Sequence, residues 1–220
     1  MFAPILGRIE HMQNFRVPTL NRVWRTYFYW LLWISVAFFA VYPTCNWVTM
    51  QRSDALSLYV SPELSIPFIP EFVWAYLSLY LLFLIPPFFL GHQRMNVLGR
   101  QLIAVTLFCG LVFLLLPTRL GFERAIPADP FYSALFANLF AIDLPHNMVP
   151  SLHVAFSSLI LFTLLNDSRS ALAKAIFGAW LVLICASTIF VHQHHLLDVA
   201  TGLLVAAFFY RVARKGEHHV

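Results

Sequence analysis

The spacing of the charged residues constrains this chain more than any other feature of its sequence. Only 11% of the 220 residues are charged, whereas soluble domains carry roughly 25%. The charges leave uncharged runs at 26–51, 72–93, 101–118, 144–166 and 175–197, and a shorter one at 199–210. A membrane-spanning helix needs about 20 apolar residues. The pattern excludes a soluble globule, a disulfide-stapled secreted domain and a disordered chain, and it predicts a polytopic membrane protein.

Six membrane-spanning helices follow from these runs. We expect an all-α fold in a single domain, residues 1–220, with spans at about 26–48, 71–91, 101–118, 151–166, 174–191 and 196–213. Two adjacent prolines, Pro86 and Pro87, predict a kink in the second span because proline donates no backbone hydrogen bond.

The basic residues predict how the spans are oriented. With a cytoplasmic N-terminus, 11 of the 14 Lys and Arg residues fall on the inner side: Arg8, Arg16, Arg22, Arg25, Arg94, Arg100, Arg169, Lys174, Arg211, Arg214 and Lys215. The positive-inside rule then places both termini in the cytoplasm, in an inner (plasma) membrane. Because these residues are scattered at helix ends and form no basic patch, nucleic acid is not expected as a partner.

Two segments on the predicted outer face are apolar but do not span. Residues 58–72 contain three prolines, so we expect an irregular apolar strap at the membrane interface. Residues 130–142 predict an interfacial amphipathic helix, whose apolar positions at helical spacing are Phe131, Leu135, Leu139 and Ile142.

The first candidate site precedes the fourth span. Pro150 and Ser151 are residues typical of a helix start, and His153 follows one turn into the helix. An outward helix N-terminus offers free N–H groups and the positive end of the dipole, which together bind anions. The alternative is an ordinary N-cap with a histidine at the interface.

The second candidate site joins the fifth and sixth spans. Asp198 follows His194 by four residues, so on a helix start the two share a face. Such a carboxylate can fix the imidazole tautomer and stabilise its cation. Two alternatives are a solvated loop in which Asp198 caps the last span, and a metal site formed by His192, His194 and His195. The H-x-H-H order, which places alternate rings on opposite sides, disfavours the metal.

Together the two segments resemble the second and third signature motifs of the type 2 phosphatidate phosphatase superfamily: P-S-L-H, then S-x6-H-x3-D some three dozen residues later. The paired histidines before the aspartate are most similar to the inositol phosphorylceramide synthase-like branch. The resemblance covers roughly residues 60–212, including I-P-F-I-P at 66–70. It implies a six-helix membrane enzyme that needs no metal or other cofactor.

The resemblance also implies residue roles. His194 would take the phosphoryl group as phosphohistidine, and Asp198 would orient it. His153 would protonate the leaving group and then activate the acceptor. Substrate contacts would come from the remaining candidates: Pro150, Ser151, His192, His195, Arg119 and Arg124.

The sequence departs from the family pattern at two places. The first motif, K-x6-R-P, is reduced to Arg119 and Arg124 with a late Pro127. We expect both arginines to clamp phosphate, Arg124 ahead of Arg119; the alternative is snorkelling or pairing with an acidic neighbour. Thr188 stands where the family has arginine, so the chain either compensates with His192, His195 or Arg119, takes a less charged phosphodiester, or is inactive.

Three functions are consistent with the sequence. The first is a phosphatase acting on a membrane lipid phosphate at the outer leaflet, with phosphatidate, phosphatidylglycerophosphate and polyprenyl diphosphate as candidates. The second is a phosphotransferase that passes the group to a lipid or sugar alcohol. The third is a non-catalytic protein that binds or transports an anionic lipid.

Overall fold

Nine α-helices and two short 3₁₀ helices form the part of the chain described by the structure, a computed structural model covering residues 17–217. The helices are α1 (Val17–Met50), α2 (Val73–Leu77), α3 (Leu79–Leu82), α4 (Pro86–Phe89), α5 (His92–Leu115), α6 (Pro130–Ile142), α7 (Leu152–Asp167), α8 (Ala171–Phe190) and α9 (Leu196–Glu217). No β-strand occurs in this range, which confirms the all-α expectation. Arg8 and Arg16, members of the inner basic set, lie outside the described residues.

Four helices are long and apolar enough to cross a membrane: Leu20–Met50 within α1, His92–Leu115 (α5), Ala171–Phe190 (α8) and Leu196–Arg214 within α9. They match four of the six predicted spans. Helix α5 begins nine residues before the predicted start, because Arg94 and Arg100 interrupt an uncharged run but are good helix formers. Helix α7, with 16 residues, is about 24 Å long and shorter than a typical bilayer core.

The predicted second span, 71–91, is not one continuous helix. It consists of α2, α3 and α4, separated by turns. The Ser78 hydroxyl bonds back to the Ala75 carbonyl at 2.6 Å. Near the two prolines, Leu84 and Phe88 donate to carbonyls only three residues earlier, at 2.9 and 3.1 Å. The interruption before α4 therefore follows from the missing proline N–H groups, whereas the one between α2 and α3 lies at Ser78, and the segment is divided instead of merely kinked.

Helices α1 and α5 run side by side in the same direction. The Trp30 indole, in the first half of α1, donates at 2.7 Å to the side chain of Asn96 near the start of α5. The Arg52 guanidinium, just beyond α1, reaches the Leu114 carbonyl near the end of α5 at 2.6 Å. Since the chain must return between them, the broken segment 71–91 has to run the opposite way.

Contacts with α8 show that the broken segment does run the length of the bundle. Ile69 donates to the carbonyl of Phe190 at 2.9 Å, at the end of α8. The Phe89 ring lies 5.4 Å from that of Phe177, near the start of α8. The segment is therefore antiparallel to α8 and connects the two ends of the molecule.

The same two ends are connected by α7 and α9. Arg94, at the start of α5, pairs with Asp167, at the end of α7, at 3.3 Å. Ser151 donates its backbone N–H to the Asp198 carbonyl at 3.0 Å, which joins the starts of α7 and α9. We call the end where α7 and α9 begin the site end, and the opposite one the far end.

Helix α7 forms the centre of the bundle. Eleven of its residues between Leu152 and Leu164 are buried, and the main apolar cluster is built around it with contributions from α5 and α8. A helix that is apolar on all sides is expected in such a buried position. Ser151 and His153 therefore sit on the most enclosed element of the described chain.

Two segments cover the site end. Residues 58–72 form no regular α-helix, as predicted, and contain the 3₁₀ helices Ser61–Ser65 and Pro70–Phe72. Helix α6 forms where expected, capped by Asp129, whose carboxylate accepts from the backbone of Phe131 and Tyr132. The predicted apolar positions of α6 divide between two surfaces: Leu135 and Leu139 pack against the cluster around the fully buried Phe136, whereas Phe131 and Ile142 are 58% and 79% exposed on the protein surface. Phe136 packs with Val73, Tyr76 and Val191.

Candidate active site

The loop between α8 and α9 brings the second candidate site to the site end. The Thr188 carbonyl accepts from the backbone of both Gln193 and His194, at 2.9 and 3.0 Å, so the chain turns sharply after α8. His192 lies in this turn and adopts the left-handed backbone conformation, with a φ of 53°. Helix α9 then begins at Leu196, with Asp198 in its first turn.

His194 and Asp198 are in contact. The ring Nδ1 lies 3.2 Å from the Asp198 carboxylate, and the same oxygen accepts the His195 backbone N–H at 2.8 Å. Asp198 is fully buried. Because a carboxylate can only accept, Nδ1 carries the proton and Nε2 of neutral His194 bears a free lone pair. No hydrogen bond from the described residues engages that Nε2.

The first candidate site lies beside the second. Ser151 caps α7, its hydroxyl accepting from Val154 N at 3.2 Å. Its backbone is hydrogen-bonded to the Asp198 carbonyl, and a Cβ added at Gly202 would come within 2.7 Å of the Ser151 carbonyl oxygen. Pro150, the residue before this cap, is also buried, so the two motifs pack closely here.

His153 is held by an aromatic platform. Its ring stacks on Tyr76 with centroids 4.1 Å apart and planes inclined by 17°. His194 is close enough to His153 to act on its ring electrostatically. Nε2 of this ring is buried and has no hydrogen-bond partner among the described residues. Two histidines with unengaged Nε2 atoms therefore adjoin one site.

The two predicted clamp arginines occupy different surroundings. Arg124 is partly buried, with one nitrogen donating to the Phe140 carbonyl at 3.3 Å and the guanidinium 4.8 Å above the Phe140 ring. Its Nε and Nη2 are buried and unpartnered. Burial lowers the pKa of Arg124 and the charge of Asp143 raises it, and an arginine stays cationic at neutral pH. Arg119 is exposed and donates to Ser57 at 3.0 Å.

His192 and His195 belong to a column of four rings. His192 stacks on Phe122 at 4.0 Å, Phe122 stacks on His195 at 4.4 Å, and His195 stacks on Tyr59 at 4.6 Å. Burial lowers the pKa of both histidines. The column joins three separate segments of the chain and so fixes residues 119–124 and the strap against the α8–α9 loop.

Both histidines of this column also make polar contacts through their ring nitrogens. His195 accepts the Gly121 N–H at Nε2, at 3.0 Å, and its Nδ1 lies 3.3 Å from the Glu63 carboxylate. His192 Nε2 contacts the Ile66 carbonyl at 2.9 Å. His195 is only 1% exposed. His192 and His195 are therefore held by stacking and polar contacts, whereas Nε2 of His194 and Nε2 of His153 have no hydrogen-bond partner among the described residues.

Sequence reasoning missed two acidic residues at the site end, Glu63 and Asp143. Glu63 accepts the backbone N–H of Val60 at 3.0 Å and that of Leu196, the first residue of α9, at 2.7 Å. Asp143 accepts hydrogen bonds from two tyrosine hydroxyls. His146 has a buried, unpartnered Nδ1, and burial together with the two arginines lowers its pKa. The sequence did carry a signal for the two acidic residues, because a carboxylate within or beside an apolar segment is rare and costly to bury.

Thr188 does not face the site as an arginine would. It is fully buried, and its hydroxyl donates to the Cys185 carbonyl at 2.8 Å within α8. Arg124 is a cationic group at the same end of the molecule, and its Nε and Nη2 are buried without a hydrogen-bond partner among the described residues.

The histidines of the α8–α9 loop do not converge. His192 is directed to Ile66, His194 to Asp198, and His195 lies between Gly121 and Glu63. Among residues 17–217, no group of three or more His, Cys, Asp or Glu side chains is arranged to hold a metal ion.

Comparison with known proteins gives no family for this chain. No family model matches it, and neither does any curated protein or solved structure. The likeness to type 2 phosphatidate phosphatases is therefore carried by short motifs alone, and the roles that it implies are proposals.

Proposed function

We propose that this protein is an integral membrane enzyme that removes a phosphoryl group from a lipid phosphate through a phosphohistidine at His194. One observation carries the proposal: His194 is held through Nδ1 by buried Asp198 while its Nε2 is free, beside His153, whose Nε2 is also unpartnered. A nucleophile oriented by a third group and paired with an acid–base partner is the arrangement that covalent catalysis requires.

The reaction has two steps. His194 Nε2 attacks phosphorus and the bond from phosphorus to the leaving oxygen breaks. That oxygen takes a proton from the cationic form of His153, which the negative charge of the bound phosphate favours. A water molecule then attacks the phosphohistidine, the bond from phosphorus to nitrogen breaks, and His153 takes a proton from the water. Inorganic phosphate leaves, and both histidines return to their starting states.

Charge on the transferring group is balanced by the surrounding donors. The free Nε and Nη2 of Arg124 are suited to bidentate binding of phosphate oxygens. The start of α7 at Ser151 supplies backbone N–H groups and the positive end of a helix. Such fixed donors act on the charge that spreads over the equatorial oxygens in phosphoryl transfer.

In the bilayer the chain would cross six times, with both termini cytoplasmic and the site end on the outer side. Two features support this arrangement. The broken segment 71–91 and the short helix α7 both connect the two ends of the bundle, although neither is a long continuous helix. Arg94, Arg169 and Arg214 belong to the far end, whereas the site end carries few basic residues. This distribution agrees with the positive-inside rule.

A second candidate is transfer to a lipid or sugar alcohol in place of water. The strap favours it, because Glu63 and Ile66 fasten residues 58–72 directly to the α8–α9 loop. A cover that excludes water protects a reactive intermediate from hydrolysis. Transfer would use the same two histidines, with His153 accepting the proton of the alcohol.

Phosphate release by the purified protein in detergent tests the proposal. Phosphatidate, phosphatidylglycerophosphate and undecaprenyl diphosphate would be supplied with EDTA and no added divalent metal. We expect release by the wild type and a loss of several orders of magnitude in His194→Gln. A far-end histidine variant, His92→Ala, is the matched control and should keep its activity.

Each other outcome has a definite meaning. Release that persists in a folded His194→Gln variant, or that requires a divalent metal, would refute the proposal. Release that appears only after a lipid or sugar alcohol is added would select the transferase. Binding of these lipids with no turnover under either condition would identify a non-catalytic protein.

A further inference from the structure

A carboxylate that neither candidate motif contains lies behind the candidate acid–base histidine. Asp143 follows the last residue of α6. One of its oxygens accepts the Tyr42 hydroxyl from α1, and the other accepts the Tyr76 hydroxyl from α2, the latter at 3.1 Å. The carboxylate therefore ties together three separate elements of the fold.

This cluster is connected to His153 through Tyr76. Tyr76 is only 4% exposed, and its ring is the surface on which His153 stacks, with a centroid separation of 4.1 Å. The hydroxyl bond to Asp143 fixes one edge of the tyrosine, so the plane of the platform is set by the carboxylate. Tyr42 holds the opposite oxygen and thereby fixes the carboxylate itself.

We propose that Asp143 is a positioning residue which, through the Tyr76 ring, sets the orientation of His153 for proton transfer. The inference rests on the proposed function, because it assigns Asp143 a part in that reaction. Asp143 has no direct role with the substrate, since both of its carboxylate oxygens are already engaged by tyrosines.

The surroundings of Arg124 are consistent with this division of roles. Arg124 experiences the charge of Asp143, yet its guanidinium donates to the Phe140 carbonyl, and its Nε and Nη2 have no hydrogen-bond partner among the described residues. Asp143 thus leaves the free nitrogens of the arginine available for an anion. Loss of Asp143 is therefore expected to disturb proton transfer more than anion binding.

Asp143→Asn is the first test, measured on the full-length protein in detergent with the best lipid phosphate substrate. Misplacement of a catalytic group by about 1 Å can cost about 100-fold, and we expect kcat to fall by about 10- to 100-fold. The affinity for inorganic phosphate, measured by calorimetry, should not weaken, because a negative charge near the anion site has been removed. Arg124→Gln should show the reverse pattern, with weaker phosphate binding.

Further variants separate positioning from general support of the fold. Tyr76→Phe keeps the platform but loses its bond to Asp143, so it should lower kcat to about the same extent as Asp143→Asn, and combining the two should add little. In a His153→Gln background, Asp143→Asn should cause no additional loss. Asp54→Asn, which alters an exposed carboxylate at the same end, is the matched control and should behave as wild type.

Three results would overturn the inference. The first is a kcat of Asp143→Asn within twofold of wild type. The second is a double variant in which the losses of kcat from Asp143→Asn and His153→Gln multiply, and the third is a phosphate affinity that falls together with kcat. If the wild type turns over its substrate and Asp143→Asn matches it, this inference alone fails. If the wild type neither turns over a lipid phosphate nor binds inorganic phosphate, the proposed function fails and the inference with it.

Discussion

At the scale of single residues, the two arginines of the 119–124 segment give a direct comparison. Arg124 is partly buried with two free nitrogens, whereas Arg119 is exposed and bonded to Ser57. We expect Arg124→Gln to raise KM for a lipid phosphate about 10- to 100-fold, since a charge-assisted bond contributes about 1.5–3 kcal/mol. Arg119→Gln should change KM by less than threefold. Equal effects in steady-state kinetics would contradict the distinction drawn from their burial.

Residue spacing predicted some side-chain contacts and could not predict others. His194 and Asp198 are four residues apart, and the start of α9 brings the loop residue His194 next to Asp198 in the first turn of the helix. The contact of Glu63 with Leu196 and the stacking of Phe122 between two histidines join segments far apart in the chain. Such contacts depend on how loops fold over one another, for which a single sequence carries no periodic signal.

At the scale of elements, the join between α7 and α9 depends on a glycine. A Cβ at Gly202 would lie 2.7 Å from the Ser151 carbonyl oxygen, a backbone atom that cannot easily move. Gly202→Ala should therefore push the two helices apart, cost about 1–3 kcal/mol of unfolding free energy, and lower activity.

The matched control for this change is Gly178→Ala in α8, where an added Cβ meets nothing within 4 Å. It should be neutral or stabilise by up to about 1 kcal/mol, because alanine favours a helix more than glycine does. Thermal unfolding and phosphate release would be measured for both variants. A Gly202→Ala protein as stable and active as the Gly178→Ala protein would show that the join tolerates separation.

The loop between α8 and α9 should lose stability in acid. Burial lowers the pKa of His195 below its ordinary value, although Asp198 and Glu63 raise it and His194 adds to the lowering. Below about pH 6.5, the ordinary pKa of histidine, His195 binds a proton in the unfolded chain but not in the folded protein. The free energy of unfolding is therefore highest above that pH and decreases as the pH falls. The melting temperature should be lower at pH 5.5 than at pH 7.5, and this decrease should be smaller in His195→Gln. A decrease as large in the variant would exclude His195 as a contributor.

Element boundaries show what hydropathy alone can provide. The long apolar runs predicted helices at the positions of α1, α5, α8 and α9, because length and composition are sufficient for that purpose. The same criterion predicted a continuous helix over 71–91, where proline and serine chemistry divides the segment into short turns. For α6, helical spacing identified the helix and its apolar positions but not the burial of Phe136, which depends on neighbours from other elements.

At the scale of the whole molecule, the proposed orientation can be tested by labelling. Glu123 and Asn166 are exposed at the site end and near the far end, respectively. Single cysteines would be placed at each position in a background with Cys45, Cys109 and Cys185 replaced by alanine. A membrane-impermeant maleimide should label residue 123 in intact cells, and residue 166 only after permeabilisation. The opposite pattern would place the site in the cytoplasm.

Formation of a phosphohistidine tests the central proposal most directly. The wild type and His194→Gln would be mixed with a lipid substrate labelled in its phosphate, quenched in alkali, and examined for phosphate bound to protein. A label that is stable in alkali, labile in acid and absent from the His194→Gln variant is the expected result. Turnover without any bound label, or equal labelling of the variant, would contradict a reaction that passes through His194.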